Sequence, residues 1–304
     1  MIGVSGGVDS TTVAYHVKRL GLRPLAVHLD NGWNTELAVD NIRRTLETLQ
    51  IDLKTHVLDW EQFRDLQVAF LRASIPNSEI PTDHAISSLM YRTAAEFGLT
   101  YVISGGNLAT EGIMPLSWTY YNQDLRHLRA IHRRFGSRRL RNYPTMSLAR
   151  WTWYVFGRRF RVVRLLNLVG YKKSAAMTLI QRELGWRPYP AKHYESLYTR
   201  FYQGFYLPRK FGFDKRKPHL STLVMAGDVT RDEALSELAR DPYAEGDLRH
   251  DREYVLRKLR LSDAEFDAII AAPNRRHEDY PSNQWLFHGM ERSRDRLKRI
   301  VTAG

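Results

Sequence analysis

The sequence predicts an α/β fold: a mostly parallel sheet with helices on both faces, followed by a mainly helical C-terminal part. Three observations carry that expectation. Short apolar runs alternate with amphipathic helical stretches through residues 1–111, the first run ends in a glycine-rich turn that opens a helix, and the regular alternation stops near residue 112. Such sheets bind ligands at the carboxyl ends of their strands.

Each element has its own signal. Ile2–Val4 is a short apolar strand. Ser10–Leu20 has Val13 and Val17 on one helical face and is stopped by Gly21. Pro24–Leu29 is strand-like. Glu36–Gln50 carries Leu37, Ile42, Leu46 and Leu49 at helical spacing. His56–Leu58 resumes a strand and Trp60–Ala73 a helix. Pro81 opens the next helix in its first turn, with Asp83 suited to the positive end of the dipole, and Gly98 closes it. Tyr101–Ser104 is a buried strand. Residues 1–111 therefore read as one α/β domain and 112–304 as a basic, mainly helical region for substrate and partners. In its tail Thr230 with Glu233, and Ser262 with Glu265, have capping-box spacing.

The chain has no cysteine, which excludes disulfides, thiolate metal sites and cysteine nucleophiles within it. No apolar run reaches the roughly 20 residues needed to span a bilayer, and the glycine turn follows Met1 too closely for a signal peptide, so the cytoplasm is the expected location. Net charge is +13, and residues 126–173 hold fourteen Lys or Arg with no Asp or Glu. That stretch implies an anionic partner: a nucleotide sugar, a nucleic acid, a membrane surface or an acidic protein.

Ser5-Gly6-Gly7-Val8-Asp9-Ser10 sits between a strand and a helix, the geometry that holds phosphate on backbone amides and a helix N-terminus. It lacks the Gly-Lys-Ser/Thr of a Walker loop. It resembles the PP-loop of NAD synthetase, GMP synthetase and asparagine synthetase, enzymes that split ATP into AMP and pyrophosphate. That resemblance makes Ser5, Gly6, Gly7, Asp9 and Ser10 ATP contacts, with Asp30, at the end of the second strand, as another. Gly105-Gly106-Asn107-Leu108-Ala109-Thr110-Glu111 resembles the acidic loop of NAD synthetase. It implies that Gly105 and Asn107 help hold the nucleotide and that Asp9 and Glu111 hold Mg²⁺, a cation that prefers hard oxygens.

Further motifs narrow the class. Ile80-Pro81-Thr82-Asp83-His84-Ala85, Lys192-His193-Tyr194-Glu195-Ser196, Thr199–Gly204, Leu207–Phe211, Asp214–Ser221 and Thr230–Leu235 together resemble the N-acetyl sugar amidotransferases of surface-polysaccharide biosynthesis, over residues 2 to about 270. The resemblance implies adenylation of the acetamido oxygen of a nucleotide-activated sugar. Ammonia from a separate glutaminase, working with a cyclase-like partner, then yields an acetamidino sugar for lipopolysaccharide, O-antigen or a related glycan. Asp9, Lys192, Lys215 and Arg216 become the candidate catalytic set, and Asp83, His84 and His193 the candidate contacts to the sugar. Members of that family carry more chain ahead of the loop, so the first strand is expected to be a short edge strand. Two rival readings remain. The basic, aromatic stretch 126–173 also fits a PP-loop ligase that adenylates a tRNA base, although nucleic acid is not the partner the motifs favour. Trp151–Leu168, with its arginines, fits a non-catalytic adenine-nucleotide-binding subunit or a scaffold in peripheral contact with a membrane, which the loop with both acidic partners argues against.

Overall fold

A computed structural model of the chain describes residues 1–189, 194–243 and 245–290. The first eight elements are β1 (Ile2–Gly3), α1 (Val8–Arg19), β2 (Ala26–Asp30), α2 (Glu36–Leu49), β3 (Leu53–Val57), α3 (Trp60–Arg72), α4 (Ile80–Glu96) and β4 (Tyr101–Ser104). They continue as α5 (Leu108–Glu111), α6 (Leu125–Phe135), α7 (Leu148–Thr152) and β5 (Arg161–Arg164), then α8 (Lys173–Leu184). The C-terminal helices are α9 (Leu197–Phe201), α10 (Leu207–Phe211), α11 (Arg216–Met225), α12 (Arg231–Leu238), α13 (Glu245–Leu259) and α14 (Asp263–Ala271).

The fold is α/β, with a parallel sheet in the order β3-β2-β1-β4-β5. Strand alternation sorts the side chains between two cores. Ile2, Val4 and Ala26 point into a core with Val13, Val17, Ile42 and Leu46 of α1 and α2. Met1, Val27 and Val102 point the other way, against Leu89 and Ala94 of α4. Helices therefore cover both faces, as expected of buried parallel strands.

Three expectations need correction. β1 is not an edge strand but the central one, because the chain winds outward from it in both directions. β3 begins three residues before the expected His56. As an edge strand it tolerates the polar Lys54 and Thr55, which an apolar criterion passes over. β5 was not foreseen. Its Arg161 and Arg164 hide it in the basic stretch, yet charge is what keeps an exposed edge from pairing with other chains.

The C-terminal helices dock through amphipathic tyrosines. Tyr198, Tyr202 and Tyr206 recur every fourth residue, all buried, with hydroxyls donating to Pro76 O and Leu71 O and pairing with Ser78 Oγ. Both expected capping boxes form, at Thr230–Glu233 and Ser262–Glu265. Buried Lys210 donates to the Ile269 and Ala272 carbonyls, closing the C-terminal end of α14.

Candidate active site

The glycine turn lies between β1 and α1, at the carboxyl ends of the strands. Gly6 has φ +78°, and a Cβ there would lie 2.5 Å from the Ala38 carbonyl oxygen, so only glycine fits. Gly7 is the N-cap of α1 and supplies no capping side chain. The first amides of the helix are thus open to an anion, at the end where the dipole favours one. Ser10 Oγ donates to Gly7 O and accepts from Ser5 N, closing the turn. Two donors from downstream then clamp it. Trp186 Nε1 and Tyr189 Oη both bond Gly6 O, at 2.8 and 3.0 Å. Behind them Asn41 exchanges two hydrogen bonds with the Arg187 backbone.

A cavity of about 460 Å³ opens over this turn. Ser5, Gly7, Asp9 and Ser10 line it from one side, Gly105 and Glu111 from another, and Lys173, Glu195 and His219 from the rest. Asp9 accepts from the Thr110 hydroxyl at 3.2 Å and from the Tyr171 hydroxyl. Thr110 also bonds Asn107 Oδ1, the cap of α5, so Asn107 holds the acidic loop in place rather than lining the cavity. Gly105 packs so closely on α1 that a Cβ would lie 3.2 Å from the Asp9 carbonyl carbon. Asp9 and Glu111 therefore face one space. Among the described residues no group of three or more acidic or histidine side chains could hold a metal. Two hard carboxylates suit Mg²⁺ bound chiefly through waters and the phosphates of a nucleotide.

A second cavity, of about 290 Å³, adjoins the first and shares Ser5 and Glu195 with it. It lies over the ends of β1 and β2 and is walled by Leu29, Ile86, Leu89 and Met90, with Glu79, Asp83 and the shared Glu195 as its acids. Asp83 makes no side-chain hydrogen bond among the described residues. Burial raises its carboxyl to about 7, the charges of Glu79 and Glu111 push the same way, and Lys215 opposes them. Lys215 sits over the Tyr202 ring, 5.6 Å from its centroid. Glu79 is held by Thr199 Oγ1 at 2.6 Å and by Gln203.

The structure thus brings together Ser5, Gly7, Asp9, Ser10, Gly105 and Glu111, with Asp83 next door and Lys215 within its electrostatic reach. Three candidates lie elsewhere. Asp30 turns away to accept from Gly32 N and Asn34 Nδ2 and lines neither cavity. His84 is fully buried, with Nδ1 against Asn122 O at 2.6 Å and Nε2 accepting from Met146 N, so both nitrogens are spent on backbone. Arg216 forks onto Asp214 and donates to the Glu237 and Arg240 carbonyls behind α12. Lys192 and His193 lie outside the described residues. Residues 186, 189, 171 and 219 were not singled out from the sequence, although His219 stands in a quoted motif. Their roles depend on contacts far along the chain, for which no local pattern exists.

The strand order, the turn and the acidic pair make an α/β domain with a glycine turn and two carboxylates gathered at the carboxyl ends of a parallel sheet. The C-terminal third is more particular: residues 195–294 match the family model described as LPS biosynthesis protein WbpG-like, C-terminal domain. That match agrees with the resemblance to the N-acetyl sugar amidotransferases. No curated protein matches the chain. Among solved structures, a predicted subunit of tRNA methyltransferase from Methanocaldococcus jannaschii is similar at 17% identity, over 59% of this chain and 74% of that one. Its TM-score is 0.32, too low to carry an argument.

Proposed function

We propose that the protein is an ATP-dependent amidotransferase that converts the acetamido group of a nucleotide-activated N-acetyl sugar into an acetamidino group for a surface glycan. One observation carries this reading. Glu195 and His219, both from the segment that matches the lipopolysaccharide-biosynthesis domain, line the same cavity as the phosphate-binding turn.

In this reading the apolar second cavity takes the nucleoside of ATP, and the phosphates run over the turn toward the open amides of α1. The sugar's acetamido oxygen attacks the α-phosphorus, and pyrophosphate leaves with the electrons of the broken P–O bond. Asp9 and Glu111 would hold Mg²⁺, which neutralises charge on the departing pyrophosphate. Lys173 adds a positive side chain to the same cavity. Ammonia then forms the new C–N bond at the imidate carbon, passes a proton to Asp83, and AMP leaves with the C–O electrons. A carboxyl that titrates near neutrality suits that proton transfer. No cysteine is present to release ammonia from glutamine, so a separate glutaminase supplies it.

The test is release of AMP and pyrophosphate with N-acetylated UDP-sugars plus ammonium, against transfer RNA plus ammonium. Release that depends on the sugar is expected. Release stimulated by RNA alone would overturn the assignment.

A further inference from the structure

Beyond the cleft, the aromatic and basic stretch around α7 and β5 is a feature that the reaction leaves unused. After α7 the chain makes one wide turn, Trp153–Gly157, and reaches β5 through Arg158–Phe160. Tyr154 and Phe160 turn inward and stack on Tyr91. Their neighbours turn outward: Trp153 is 61% exposed, Phe156 70% and Val162 51%. Trp153 is held there. Its ring covers Gly157 so closely that a Cβ on the glycine would lie 2.4 Å from it. In the same stretch Arg150, Arg159 and Arg161 are exposed and have no ion pair among the described residues, whereas Arg158 is tied to the Ala95 carbonyl. Arg159 stands at φ +56°, an uncommon conformation for a side chain of its size.

From these observations we infer that this face docks on an anionic lipid bilayer, with Trp153 and Phe156 at the headgroup boundary and Arg150, Arg159 and Arg161 against acidic headgroups. Exposed aromatics ringed by cations are the chemistry of interfacial binding, which needs no spanning segment. No helix among the described residues is long and apolar enough to cross a membrane. Position decides between lipid and RNA. β5 runs from Arg161 toward Arg164, and the chain continues to Tyr171, whose hydroxyl reaches Asp9. The aromatic face therefore lies at the amino ends of the strands, opposite the cleft. An RNA whose base entered the cleft would be read at the other end of the sheet. A bilayer on this face leaves the cleft open to soluble substrates. The docking surface is independent of the chemistry in the cleft.

The experiment is co-sedimentation of the full chain with vesicles of phosphatidylcholine alone and with about one-third phosphatidylglycerol. Binding is expected only to the anionic vesicles, weakening as salt rises. Arg159→Gly combined with Arg161→Gln keeps the backbone conformation and removes two charges. It should weaken binding roughly ten- to thirtyfold, at about 1 kcal/mol per basic residue. Trp153→Ala combined with Phe156→Ala should weaken it comparably, without loss of nucleotide binding. Equal binding to both vesicles, or binding that neither variant weakens, would overturn the proposal. So would an affinity for single-stranded RNA that both variants abolish while vesicles fail to bind.

Discussion

The turn at residues 5–10 and the segment that faces it across the cleft reach the same place by opposite routes. The turn is positioned by its own strand and its own helix, through one left-handed glycine and a serine that folds back on it. Glu195 and His219 come from far downstream and are held by long-range polar contacts. Thr35 N bonds Glu195 O, Leu197 N bonds Trp33 O, and His219 Nδ1 approaches Thr110 O at 3.3 Å. A local site survives small changes in its surroundings and fails when its backbone is altered. A site assembled at long range should fail by many small steps.

The sharpest way to break the local half is Gly6→Ala. A Cβ at positive φ, driven against the Ala38 carbonyl, costs about 1–3 kcal/mol of backbone strain. The turn must shift, and a displacement near 1 Å at reacting groups costs on the order of 100-fold in rate. Loss of pyrophosphate release with only a modest fall in melting temperature is expected. An active Gly6→Ala enzyme would show that the turn does not hold the phosphates.

Asp83 tests the boundary between the halves, since its surroundings come from both. Its native carboxyl keeps a proton up to about 7, while the unfolded carboxyl releases it near 3.8. Wild-type stability should therefore fall as pH rises through that window and stay level above it. Asp83→Asn has no proton to release. Its melting temperature should exceed that of the wild type above pH about 7, with the gap shrinking as pH is lowered toward 4, while amination is lost. A gap that does not vary with pH would remove the burial argument.

This contrast also explains what could be read from the chain. Four strands, the first four helices, the turn and both capping boxes are encoded within a few residues, by apolar spacing, glycine and caps. The acidic loop at Gly105–Glu111 is equally local. His84 and Arg216 carry the right chemistry for a site, and only tertiary contacts reveal that the first is saturated by Asn122 and Met146 and the second by Asp214. Tyr171 illustrates the converse. Nothing around it in sequence signals a partner for Asp9, because the contact is made from the irregular segment between β5 and α8, 162 residues further along the chain.

Arg216→Ala follows from that correction. Losing the fork onto Asp214 and the bonds to the Glu237 and Arg240 carbonyls should cost roughly 1–2 kcal/mol of stability. KM for ATP and for the sugar should not move. A tenfold fall in kcat/KM at unchanged melting temperature would return Arg216 to the site.

The smallest effect expected is the most discriminating. Gly6 O receives two donors, so Trp186→Phe leaves Tyr189 in place and should cost only about 1 kcal/mol, seen as a several-fold rise in KM for ATP. Tyr189→Phe alone should behave similarly. The double variant strands the carbonyl without either donor and leaves it unsatisfied, which costs more than the two single losses together. Super-additive loss is therefore the signature of a turn that is local in its shape but clamped from a distance. Strict additivity would mean that water satisfies the carbonyl once both donors are gone and that the two donors act independently.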